Sequence, residues 1–161
     1  MNDLKFAIKM ELDGEKYYRE QAEINKNNSL HAVCLMLADD EKKHAQILTD
    51  RLNETASELT DSGILSKAKN VFEGLGNIKV EGKDKASQLD FYRFASQIEQ
   101  QSIDLYTKYL AEADEAQEKE LFQFLIQQEK QHFEILDTWV SLLKNAEDWV
   151  ENAEFGNREE Y

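Results

Sequence analysis

"EKKH", residues 41–44, and "EKQH", residues 129–132, contain two of the three histidines in this 161-residue chain. Each places a glutamate three residues ahead of a histidine, which on a helix is one turn along the same face. With 21 glutamates and three histidines, about 0.4 such pairs arise by chance, so one motif alone carries little. The spacing between the two carries more. Glu11, Tyr18, Glu41 and His44 each have an identical residue 88 positions later, at Glu99, Tyr106, Glu129 and His132. Four equal offsets indicate an internal repeat and a pseudo-twofold protein.

The chain around these motifs reads as helix. It has no proline and six glycines, and apolar residues recur three and four apart with Glu, Lys and Gln between them. A first helix runs from about Leu4 to Ile24, with Asn2 or Asp3 as its cap. "NKNNS", residues 25–29, is a polar turn ending in a capping Ser or Asn, and a second helix continues to about Leu59. Thr60 to Ala86 holds four of the glycines, Gly63, Gly74, Gly76 and Gly82, around one short amphipathic piece, "ILSKAKNVFEGL". Ser87 with Asp90 resembles a capping box for a third helix, and a turn near "EADEA" leads to a fourth. The expectation is a single all-α domain over 1–161. Hairpin one covers about 4–59, the crossover about 60–86, hairpin two about 88–144 and the tail about 145–161, which can add a short fifth helix or a docking segment. Two helical hairpins joined by a long crossover describe one kind of four-helix bundle.

Composition excludes several classes. A formal net charge of −14 disfavours nucleic acid and anionic membranes, which need cationic patches. No apolar run approaches the roughly 20 residues of a membrane span, and the N-terminus lacks a signal-peptide layout, so a soluble, cytoplasmic protein is expected. The single cysteine, Cys34, rules out an internal disulfide and a Cys-only metal centre. It reads as a small buried hydrophobe rather than a redox thiol.

Six ionisable residues interrupt the apolar stripes. Glu11 falls in phase with Ala7, Ile8 and Gly14; Glu41 and His44 with Leu37, Ile47 and Leu48; Glu99 with Ala95 and Ile103; Glu129 and His132 with Leu125 and Leu136. Buried carboxylates without partners are costly. Residues 11 and 41 are equally far from the first turn, and 99 and 129 from the second, so four carboxylates and two imidazoles converge if the hairpins pack at matching height. Two divalent cations would balance the four negative charges. Mixed oxygen and nitrogen donors suit iron or manganese. Glu41 and Glu129, each a turn before its histidine, are expected to bridge two ions, with Glu11 and Glu99 terminal and His44 and His132 binding one ion each.

This pattern resembles the ferritin-like di-iron carboxylate superfamily, and within it the rubrerythrin-type domains. These carry a Glu on the first and third helices and Glu-x-x-His on the second and fourth. Rubrerythrin-like helices also show a Tyr seven residues after the Glu, as in "ELDGEKYY" (Glu11, Tyr18) and "EQQSIDLY" (Glu99, Tyr106), and the tail "EDWVENAEFGNREEY" is similar to the C-terminus of small relatives. The resemblance implies a ferritin-like bundle and two iron ions per site, with manganese or zinc as alternative occupants. It implies a peroxidase- or ferroxidase-type oxidoreductase that reduces hydrogen peroxide at a diferrous site. Non-catalytic iron buffering and dioxygen-dependent iron oxidation are the alternatives. With no rubredoxin domain in the sequence, electrons must come from an external donor such as a rubredoxin-like protein or a small reductant. A homodimer is implied, in which helices can be exchanged about the Thr60–Ala86 segment. Two positions depart from the family. Many members carry an extra Glu where this chain has Ser102, and the equivalent position on the first helix is Gly14. Both bear on any ligand exchange that depends on that glutamate. Tyr18 and Tyr106, about 10 Å along their helices from Glu11 and Glu99, read either as core packing or as hydrogen-bond donors to a carboxylate or to bound peroxide. His31 matches no motif and reads as an exposed or capping residue.

Overall fold

Five helices carry the chain in a computed structural model that describes residues 2–55, 57–74 and 82–159, without the side chains of 2, 82–84 and 145–159. They are α1 (Asn2–Ile24), α2 (Leu30–Leu52), α3 (Ile64–Gly74), α4 (Gly82–Glu112) and α5 (Ala116–Glu159). Among the described residues none of the helices is long and apolar enough to cross a membrane. The fifth helix is the C-terminal one, and the tail from residue 145 belongs to it as far as Glu159.

The α1–α2 turn is closed by asparagines. Asn25 Nδ2 donates to the Gln21 carbonyl at 2.8 Å, and Asn28 Oδ1 accepts from the Leu30 N–H at 2.9 Å, while Ser29 makes no side-chain cap. Asn28 therefore serves the first turn of α2. His31 Nδ1 lies 2.7 Å from the Ala22 carbonyl and ties the two helices together across this turn.

Several helix ends differ from the sequence expectation, and α1 already includes Asn2 and Asp3, so neither caps it. The second helix stops at Leu52, not near Leu59. The Thr55 N–H reaches back to the Asp50 carbonyl (2.8 Å) and the Glu54 N–H to the Arg51 carbonyl (3.1 Å), with Glu54 at φ 58°. This is a Schellman ending whose left-handed position is filled by Glu rather than the usual Gly. The third long helix starts at Gly82, so Ser87 and Asp90 lie inside it instead of capping it. "KDKA", residues 83–86, contains nothing that opposes a helix. The short crossover helix lies where expected. Of the crossover glycines, Gly76 is outside the described residues.

α1 packs along α2 and α4 along α5, α3 lies across α2 and α5, and α1 meets α4 only sparingly. The apolar core forms two clusters. One gathers Tyr18, Leu30, Leu37, Phe91, Leu136 and Trp139 near the first turn. The other gathers Ala7, Leu48, Tyr106, Leu121, Phe122 and Leu125 near the second. The two turns thus lie at opposite ends, which makes α1 antiparallel to α4 and sets the pseudo-twofold axis across the bundle. The architecture is a ferritin-like four-helix bundle with a long crossover.

Candidate metal centre

Between the two apolar clusters the bundle axis is filled by charged groups. α1 supplies Glu11, α2 Glu41 and His44, α4 Glu99, and α5 Glu129 and His132. All six are no more than 2% exposed. The structure brings together every ligand candidate expected from sequence. The donor atoms fall into two overlapping sets whose members lie within 4.8 Å of one another: Glu11, Glu41, His44 and Glu129, and Glu41, Glu99, Glu129 and His132. Glu41 and Glu129 belong to both. The imidazoles stack with ring centroids 5.4 Å apart.

Distances fix which histidine nitrogen faces inward. His44 Nδ1 is 3.0 Å from Glu129 Oε1 and 3.6 Å from Glu11 Oε2. His132 Nδ1 is 3.0 Å from Glu41, and 3.3 Å from both Glu99 and Glu129. Glu11, Glu99 and Glu129 each keep one buried Oε2 without a hydrogen-bond partner among the described residues. Orphaned carboxyl oxygens in a dry core are costly. A pair of divalent cations would satisfy them, and four carboxylates with two imidazoles suit iron- or manganese-type ions. The residues present therefore fit such a pair.

Without a cation the cluster must hold protons. Burial, then the charges of Glu11 and the other carboxylates, push Glu41 well above its ordinary 4.5, and Glu129 is raised the same way. Burial also acts to raise Glu11, but a hydrogen bond with Glu41 and the His44 charge outweigh it and hold Glu11 below the ordinary range. Glu99 is lowered against burial by His132 and Glu129. Both imidazoles are raised although burial opposes it: His44 chiefly by Glu11, and His132 more strongly, by Glu99 first. The shared carboxyls are thus biased toward the neutral form, the outer ones toward the ionised form and the imidazoles toward the cation.

The tyrosines reach across the hairpins. Tyr18 on α1 donates to Glu99 Oε1 on α4 at 2.6 Å, and Tyr106 on α4 donates to Glu11 Oε1 on α1. Each serves the glutamate of the other half, because α1 and α4 run in opposite directions. Both rings are fully buried, so packing and hydrogen bonding coincide in one residue. Burial and the adjoining carboxylates push both phenols up, which keeps them as donors.

Sequence reasoning missed Asp40. It is 3% exposed, and its Oδ2 lies 2.5 Å from His132 Nε2, on the side of the ring away from the glutamates. Against the effect of burial, the His132 bond and charge lower its pKa to about 2. The available signal was its place one residue before Glu41 and four before His44. A search for identities at the 88-residue offset passes over it, because its counterpart is Gln128. Ser102 Oγ lies 3.1 Å from the Ile98 carbonyl of its own helix, and a Cβ added at Gly14 would lie 3.5 Å from Glu41 Oε2. Neither position brings a further carboxylate to the cluster. Cys34 is buried, and burial raises its thiol to about 12, as expected of a packing residue.

A cleft of about 420 Å³, lined among others by Asp40, His44, Asp50, Glu58 and Gln128, reaches the cluster from the α2 side. A family model described as Rubrerythrin matches residues 2–140. Comparison with curated proteins and with solved structures gave no match.

Proposed function

The chain belongs to the rubrerythrin family, and from that premise we propose that it is a non-haem di-iron oxidoreductase that reduces hydrogen peroxide. The observation that carries this reading is the pair of overlapping donor sets sharing Glu41 and Glu129. In the proposed assignment both ions would share Glu41 and Glu129, Glu11 and Glu99 would each hold one ion, and His44 and His132 would each hold one through Nδ1. Two bound ferrous ions would supply two electrons, and peroxide with two protons would leave as two waters. The protein holds the six donors in register, excludes bulk water with two apolar clusters and fixes Glu11 and Glu99 through Tyr106 and Tyr18. One cysteine cannot build a rubredoxin-type centre in these residues, so an external donor, such as a rubredoxin-like protein, would return the electrons. A cytoplasmic homodimer completes the proposal.

The test is metal analysis with rapid mixing. Protein loaded anaerobically should hold two irons per chain and react with peroxide faster than with dioxygen. Glu41→Ala or Glu129→Ala should lose the second ion, whereas two-iron binding retained in both variants would refute the bridging assignment. The acidic wall of the cleft, with Asp50 and Glu58 leading to His44, favours a second reading in which ferrous ion is itself a substrate. Dioxygen-dependent oxidation of many irons per chain would support that reading instead.

A further inference from the structure

The 88-residue repeat makes the two donor sets nearly interchangeable, but not beyond the histidines. Asp40 and Gln128 occupy equivalent positions, four residues before His44 and His132. Asp40 Oδ2 is 2.5 Å from His132 Nε2 and 3.6 Å from His44 Nε2. Only the first is a hydrogen bond. Gln128 lines the same cleft as His44, yet His44 Nε2 has no hydrogen-bond partner among the described residues. One imidazole is therefore anchored by a carboxylate on its outer side, and the other is not.

A carboxylate on the outer N–H of a metal-binding imidazole fixes its tautomer and ring orientation and raises its basicity. Once a cation displaces the Nδ1 proton, the proton kept on Nε2 toward Asp40 would leave the His132 Nδ1 lone pair facing the space among Glu41, Glu99 and Glu129. His44 has the same inward geometry without that anchor. We infer that Asp40 is a positioning residue that makes the two metal positions unequal: the one served by Glu99 and His132 fills first, and the one served by Glu11 and His44, beside the cleft, fills second and more weakly. This inference rests on the metal-centre reading.

The test titrates metal-free protein with Co(II), followed by calorimetry and by visible absorption. The intact chain should show two steps whose affinities differ by about tenfold or more. Asp40→Asn should weaken the tighter step by about 10–100-fold and change the weaker one little. Gln128→Asp, which places a carboxylate at the equivalent position behind His44, should strengthen the weaker step and bring the two together. Two equal steps in the intact chain would overturn the inference, as would an equal loss in both steps for Asp40→Asn, which is what general loosening of the core would produce. If Asp40→Asn does not fold, Gln128→Asp carries the test, and an unchanged weaker step there also overturns it. Failure of the intact chain to bind two ions would refute the metal-centre reading itself.

Discussion

At the scale of single residues, the two tyrosines show how twofold symmetry converts an expensive core into an ordered one. Glu11 and Glu99 are ionised in the metal-free protein, and each has one oxygen held by a phenol from the opposite hairpin. Removing one hydroxyl leaves a buried anionic oxygen without its donor. Tyr106→Phe and Tyr18→Phe should each destabilise the metal-free protein by about 1–3 kcal/mol, read by urea denaturation. They should also weaken metal binding by about tenfold. Because their environments are related by the pseudo-twofold, the two losses should be similar, and a large loss from only one would contradict the symmetry of the pair. The spacing of seven residues from Glu to Tyr was legible in the sequence. The partner was not, because it depends on α1 and α4 running antiparallel, a property of the assembled bundle. Asp40 was hidden for a related reason: its target is a histidine 92 positions away on another helix.

At the scale of elements, apolar periodicity located the helices and left their ends open. The end of α2 is set by hydrogen bonds to Asp50 and Arg51 and by Glu54 at φ 58°, where a sequence reader looks for Gly. No residue type announced it. After Leu52 the chain turns back: Ser57 Oγ donates to Asp50 Oδ2 at 2.5 Å, and Gln131 Nε2 donates to Asp61 Oδ2 at 2.8 Å. The segment the sequence assigned to helix thus forms part of the cleft wall over His44. Glu54 is exposed, so it can be replaced without disturbing the core. The left-handed conformation costs an L-residue about 1–2 kcal/mol, and glycine returns part of that as unfolded-state entropy. Glu54→Gly should therefore raise stability by about 0.5–1 kcal/mol, visible as a higher melting temperature with the metal affinity unchanged. A lower melting temperature would mean that Glu54 does not hold this conformation in solution.

At the scale of the whole molecule, the two hairpins are joined at mid-height by groups whose charge must be balanced by either protons or cations. In the metal-free fold Glu41 and Glu129 lie well above their ordinary 4.5, and His44 and His132 above their ordinary 6.5. The unfolded chain releases these protons near the ordinary values, so from about pH 5 to 8 the folded state holds more protons than the unfolded one, and stability falls as pH rises. Glu11, Glu99 and Asp40 are shifted the other way, so their contribution is present above the ordinary carboxylate range and is lost as pH falls through it. The metal-free protein should consequently be most stable near pH 5. Two divalent cations carry the same charge as the four protons on Glu41, Glu129, His44 and His132. Loading should release about four protons near neutral pH, measurable by calorimetry in buffers of different ionisation enthalpy, and should bind more tightly as pH rises. Melting curves of metal-free and loaded protein should diverge between about pH 5 and 8. The net charge of −14 adds a general repulsion to the metal-free curve, and Glu41→Gln with Glu129→Gln separates the two effects. That variant keeps the surface charge but lacks the two carboxyl protons, so its metal-free stability should fall less steeply with pH. An unchanged slope would show that Glu41 and Glu129 hold no extra protons in the metal-free core and would remove their share of the proton-for-cation exchange.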